Sequence, residues 1–206
     1  GQDKKEFLIF DYFGNIEFFR AQDEIPEGEE KTFESMTQRI FNRQIALLQN
    51  LQHMDYQRDE EIKAFYESLL DKIFENINSI DKNSVYYRKE KEYIIKYSAK
   101  KELMTLNENK IEEIKRHISY IPFPLLFDNT SAKWFDSMIL NLQLSKFERM
   151  NTNLEIKRCV KIGNTLKEFG TIPKIKENYD KIVILADSER LQYEDILGLE
   201  AIRVAI

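Results

Sequence analysis

Two stretches of this chain carry apolar side chains at three-, four- and seven-residue intervals, and that spacing constrains the fold more than any other feature. Phe33, Met36, Ile40, Leu47, Leu51 and Met54 share one face of a helix, predicted to run from a Thr32 cap for about six turns. Ile62, Phe65, Leu69, Ile73, Ile77 and Ile80 line a second helix, with Glu60, Glu61, Lys63, Glu67, Asp71 and Glu75 off the stripe. A helix with one apolar face must bury it against another element. The short break at 55–59 therefore predicts an antiparallel pair.

The same patterning continues downstream. Ser84 can cap a third helix, expected to run to about Met104. Leu106 and Ile111 flank Asn107 as a hydrophobic staple around a cap, starting a short helix that Pro122 and Pro124 end. Asp128, Asn129, Thr130 and Ser131 offer caps for a helix carrying Trp134, Phe135, Met138, Ile139 and Leu142. Thr152 and Glu155 have capping-box spacing, Gly170 suits a C-terminal cap, and Pro173 fits the first turn of a new helix. The run 181–185 fits a strand or a buried helix by period, and its helical neighbours favour helix.

The start of the chain departs from this pattern. Phe7-Leu8-Ile9-Phe10-Asp11 and Ile16-Glu17-Phe18-Phe19-Arg20 are apolar runs parted by Gly14-Asn15, which reads as strand, turn, strand. Phe7 and Ile9 face one side, Leu8 and Phe10 the other, so the first strand wants cover on both faces. A hairpin alone is marginal in water, and companion strands are expected upstream in a longer protein. The charged segment 23–31, with Pro26 and Gly28, reads as a linker.

Composition limits the function classes. Of 206 residues 42% are hydrophobic, enough for a real core. Cys159 stands alone, which excludes an internal disulfide, and with only His53 and His117 beside it a Cys/His zinc site has too few ligands. That cysteine usage fits a reducing compartment. No apolar run approaches the roughly 18 residues of a membrane span, and residues 1–6 lack the apolar region of a signal peptide. A cytoplasmic protein with no membrane partner is expected. The net charge of -5 makes the chain a poor default nucleic-acid binder.

No Walker-type phosphate loop is present, so no nucleotide, metal or catalytic residue is assigned within this chain. Asp11 is read as capping the Gly14-Asn15 turn, against the alternative of a metal or water ligand. Asp59-Glu60-Glu61 is read as a solvated helix start favoured by the helix dipole, and Cys159 as a small buried apolar residue. His53 and His117 are read as surface or capping histidines. One helix mixes bases with aromatics: Lys89, Tyr93, Lys96 and Lys100 share a face by their four, three and four spacing, and Tyr86 and Tyr97 flank it. The four are the candidate nucleic-acid contacts, weighed against a solvated basic face.

Lys5-Glu6-Phe7-Leu8-Ile9-Phe10-Asp11-Tyr12, followed by Gly14-Asn15-Ile16-Glu17-Phe18-Phe19, resembles a segment of the restriction (R) subunit of type I restriction-modification enzymes. It departs from the commonest pattern at Phe13 and Ile16. Ala132-Lys133-Trp134-Phe135-Asp136, Thr171-Ile172-Pro173-Lys174-Ile175 and Leu199-Glu200-Ala201-Ile202-Arg203 look like further landmarks of that family's helical C-terminal domain. The resemblance implies a division into a hairpin over 1–22 ending the motor-domain sheet, a linker over 23–31, and a helical C-terminal domain over 32–206, truncated at its end. It implies that the parent uses ATP and Mg, translocates and cleaves DNA, and assembles with a modification (methyltransferase) subunit. The expected fold class is mainly α: seven or eight helices around one core, preceded by a short antiparallel β-hairpin whose open edge could pair with another copy. The expected role is an assembly module docking the motor subunit to its modification subunit. Two alternatives are a DNA-contacting module and an enzyme whose carboxylates meet only on folding.

Overall fold

The computed structural model describes residues 34–53, 55–123, 130–193 and 199–205. Helix α1, Met36–Leu51, starts where Ser35 accepts a hydrogen bond from the Gln38 amide at 3.2 Å. Its buried face includes Ile40, Phe41, Ile45, Leu48 and Leu51, broader than the single stripe expected. Helix α2, Glu60–Asn78, is capped by Asp59, whose carboxylate accepts from the amides of Glu61 and Ile62. Leu69, Ile73 and Ile77 bury against α1, as the expected pairing of the two stripes requires.

Three short helices follow where one was expected: α3, Val85–Lys89; α4, Lys91–Tyr97; and α5, Lys100–Leu103. Ser84 does cap the first, accepting from the Tyr87 amide at 3.0 Å. The backbone then leaves helical geometry at Glu90 (φ -107°, ψ 22°) and at Ala99 (φ -100°, ψ 117°). Helix α6, Glu108–His117, begins at the Asn107 cap, with Leu106 and Ile111 both buried around it. Gln52, just past α1, uses both ends of its amide on the Leu106 backbone, accepting from its N–H and donating to its C=O. This satisfies both backbone groups of Leu106, the buried residue in the otherwise exposed turn between α5 and α6.

Helix α7, Thr130–Leu144, packs along α1 more extensively than any other pair of helices pack together. Beyond it lie α8, Asn153–Glu168; α9, Pro173–Glu177; α10, Tyr179–Leu185; α11, Ser188–Tyr193; and a 3₁₀ segment, Leu199–Ala205. The Thr152 and Glu155 box does not form: Thr152 makes no side-chain cap bond, and Glu155 accepts instead from Asn141 on α7 at 2.9 Å. Pro173 opens α9 as expected, and 181–185 is helical.

The expected fold class needs correcting. Among the described residues there is no strand at all, the chain forming helices joined by turns, so the antiparallel hairpin gains no support. Its residues, Phe7 to Arg20, with Asp11 and the linker after them, lie outside the described residues, as does the hairpin edge expected to self-pair. The described helices number eleven, not seven or eight, because the chain turns at Glu90, Ala99, Asn178 and Asp187. The single core is also replaced by two. The first holds Phe41, Leu48, Ile73, Tyr97, Ile114 and Phe123, with the Phe41 and Phe123 rings 4.5 Å apart. The second holds Phe135, Ile139, Cys159, Ile182, Leu185 and Ile202.

Helix α7 belongs to both, giving Leu140 and Leu144 to the first core and Phe135, Met138, Ile139 and Leu142 to the second. Within the second, α8 and α10 approach so closely at Gly163 that a Cβ there would stand 2.6 Å from the Ala186 nitrogen and 2.8 Å from its Cα. Glycine to alanine inside an exposed helix normally stabilises by about 1 kcal/mol. Here Gly163→Ala is expected to destabilise by about 1–3 kcal/mol, read as a lower urea midpoint, because backbone must move to admit the methyl group. A raised midpoint would show that α8 and α10 are not held in contact.

Candidate functional site

The four candidate nucleic-acid contacts fall on α3, α4 and the first residue of α5, not on one continuous helix. Each is engaged within the protein. Lys89 Nζ donates to the Tyr120 hydroxyl at 3.1 Å and lies 3.3 Å from Glu90. Tyr93 stacks on the His117 ring, centroids 3.6 Å apart and planes 5° from parallel. Lys96 pairs with Glu113 at 2.5 Å, and the same carboxylate accepts from the Tyr97 hydroxyl at 2.7 Å. Lys100 pairs with Asp71 of α2 and lies 5.9 Å from the Phe74 ring centre. The Glu113 hydrogen bond raises the Lys96 pKa, and Lys96 followed by Tyr97 holds Glu113 below the usual carboxylate range. A phosphate at this face would have to displace these carboxylates, which is costlier than neutralising a solvated lysine.

Glu90 is the centre of this region and was not singled out by the sequence. It is 6% exposed, accepting from the Tyr120 hydroxyl at 2.6 Å and from His117 Nδ1 at 2.8 Å. The Tyr120 hydrogen bond, then those of His117 and Lys89, hold its carboxyl below the usual range against the opposing effect of burial. Its partners stand 27 and 30 residues away, so no local spacing announces them. The non-helical backbone at Glu90 lets one carboxylate tie the α3–α4 junction to the end of α6.

The second candidate is a groove of about 770 Å³ walled by α7, α8 and α9. From α7 come Trp134 and Met138; from α8 Arg158, Lys161, Ile162, Thr165 and Leu166; and from beyond α8 Phe169, Ile172 and Ile175. Residues 158, 161, 162, 165, 166 and 169 recur at three-to-four-residue intervals, which sets them on one side of α8 and the turn after it. Cys159 and Gly163 lie on the buried side. Phe169 is 50% and Ile172 46% exposed, so the apolar walls continue to the surface. Among the described residues that line it, Arg158 and Lys161 are charged and none is a carboxylate.

The three landmark segments downstream of the hairpin meet in this half of the molecule. Trp134 lines the groove with Ile172 and Ile175, while Phe135, Leu199 and Ile202 pack in the second core below. Arg203 Nε donates to Asp136 at 2.9 Å, closing the last segment onto α7.

The remaining candidates have structural surroundings. Asp59 caps α2, with Glu60 and Glu61 exposed in its first turn, and His53 is exposed. Burial pushes the Cys159 thiol up to about 12, which keeps it protonated. Among the described residues no group of three or more His, Cys, Asp or Glu side chains is arranged to hold a metal ion, and no helix is long and apolar enough to cross a membrane. Comparison with protein-family models, with curated proteins and with solved structures gives no match.

The Glu90 cluster generates a pH-dependent expectation. Its folded pKa lies below the ordinary 4.5, so its stabilisation is present above that value and is lost as pH falls through the folded pKa. Glu90→Gln is expected to cost about 1–3 kcal/mol at neutral pH, as for a buried charge-assisted bond removed on one side. The gap from the unmodified chain should narrow below pH 4.5. Urea titrations at pH 7 and on descent below pH 4 check it, a gap independent of pH counting against a charged Glu90.

Proposed function

We propose that this chain is an assembly module, the helical C-terminal region of the R subunit of a type I restriction-modification enzyme, docking the motor subunit onto its modification subunit. The observation that carries a docking role is the groove of α7, α8 and α9, where Phe169 and Ile172 leave apolar surface open beside Trp134 and Met138. Contiguous exposed apolar surface rimmed by polar groups is what protein interfaces use. The family assignment rests on the sequence resemblance, and what supports it is that Phe135, Ile175, Leu199 and Ile202, one or more from each helical landmark segment, share the second core. ATP, Mg and DNA cleavage belong, in this reading, to the parent outside this chain. The DNA-contacting alternative is weakened by the internal pairing of Lys89, Lys96 and Lys100.

The test places Phe169→Asp and Ile172→Asp together in the intact motor subunit. Both side chains are half exposed, so folding should survive. Loss of co-elution with the modification subunit is expected, with affinity reduced at least about tenfold, as for truncation of interface anchors. ATPase activity of the isolated motor subunit should be unchanged. Undiminished assembly by the doubly substituted subunit would defeat the docking role.

A further inference from the structure

The groove's chemistry selects among occupants, and this step rests on the docking reading above. Its walls are helices whose backbone groups are already bonded within α7, α8 and α9, so they offer little to the unpaired amides of an extended peptide. A helix brings its own backbone bonds and needs only an apolar stripe to cover the walls. The rim adds a sign: the described residues that line the groove include Lys161 and no carboxylate. The surrounding segment 153–178 carries Lys157, Arg158, Lys161, Lys167, Lys174 and Lys176 against Glu155, Glu168 and Glu177. It is thus basic within a chain of net charge -5.

We infer that the groove receives an amphipathic α-helix of a partner protein, its apolar stripe seated between Trp134, Phe169 and Ile172 and its flanking carboxylates facing Lys161 and the basic segment around it. Charge complementarity of this kind sets partner choice and encounter rate as well as affinity. It predicts that binding weakens with added salt, whereas the apolar contribution persists.

Trp134 is the chain's only tryptophan and lines the groove, so its emission reports occupancy directly. The experiment titrates the 206-residue chain with three synthetic peptides. The first is a helix with Leu and Phe on one stripe and Glu beside it, the second replaces each Glu by Lys, and the third scrambles the first. The acidic helix is expected to shift the Trp134 emission to the blue and to bind at least about tenfold more tightly than the other two. Lys161→Glu should invert the preference between the acidic and basic helices, and Phe169→Asp with Ile172→Asp should abolish binding of either. Equal affinity for the acidic and scrambled peptides, or no binding of the acidic helix, overturns the inference. So does a Trp134 response confined to phosphatidylserine vesicles or to palmitate, which would assign the groove to a lipid. The two readings fail separately. Assembly that depends on Phe169 and Ile172 without preference for the acidic helix removes this occupant alone. Acidic-helix binding with assembly indifferent to the groove removes the modification-subunit role and leaves the occupant standing.

Discussion

Helix α7 is the constraint from which the rest of this structure follows. Apart from Lys133 and Asp136 its sequence carries no charge, and Ala132, Phe135, the run 137–140 and the run 142–144 are all buried. A helix buried over most of its circumference cannot lie on a surface; it must be enclosed. Here α1 packs along one side and α8 and the terminal 3₁₀ segment along the other, so two cores share one wall. The polar residues on α7 are spent on holding that wall in place. Arg43 of α1 donates to Ser137, Asn141 donates to Glu155 of α8, and Asp136 accepts from Arg203.

The groove is a consequence of how the second core closes. Gly163 brings α8 hard against the end of α10 at Ala186, which draws α8 toward that side. On its other side α8 meets α7, and the chain turns at Phe169 and Ile172 before it fully covers Trp134. Apolar area left open at such a junction forgoes roughly 25 cal/mol for each Å². A partner that covers it recovers that contribution, which gives the exposure of Phe169 and Ile172 a physical use.

The first core shows the opposite economy of charge. Several of its surface bases are matched by acids: Lys96 with Glu113, Lys100 with Asp71 and Lys110 with Glu102 from other helices, and Lys89 with its neighbour Glu90. Exposed pairs of this sort are individually worth little. Their effect is to cancel local potential, so a stripe that looks cationic along α3, α4 and α5 presents little net charge outward. The segment 153–178 around α8 and α9, on the far side of α7, carries six bases against three acids.

What could be read from the linear order was whatever neighbours in sequence decide. Ser84, Asp59 and Asn107 cap their helices because the amides they serve are two or three residues on, and Pro173 opens α9 because its ring suits a first turn. The stripes of α1, α2 and α7 were legible for the same reason, since one helical repeat sets which side chains stand together. Tertiary contact decided the rest. Glu155 gave up its expected cap for Asn141, Glu90 broke a helix to reach His117 and Tyr120, and the basic stripe was divided among three helices and neutralised. The groove, too, exists only because segments near 134, 165 and 172 are folded onto one another. Pairings of that range depend on which surfaces the cores bring together, and no spacing along the chain carries that information.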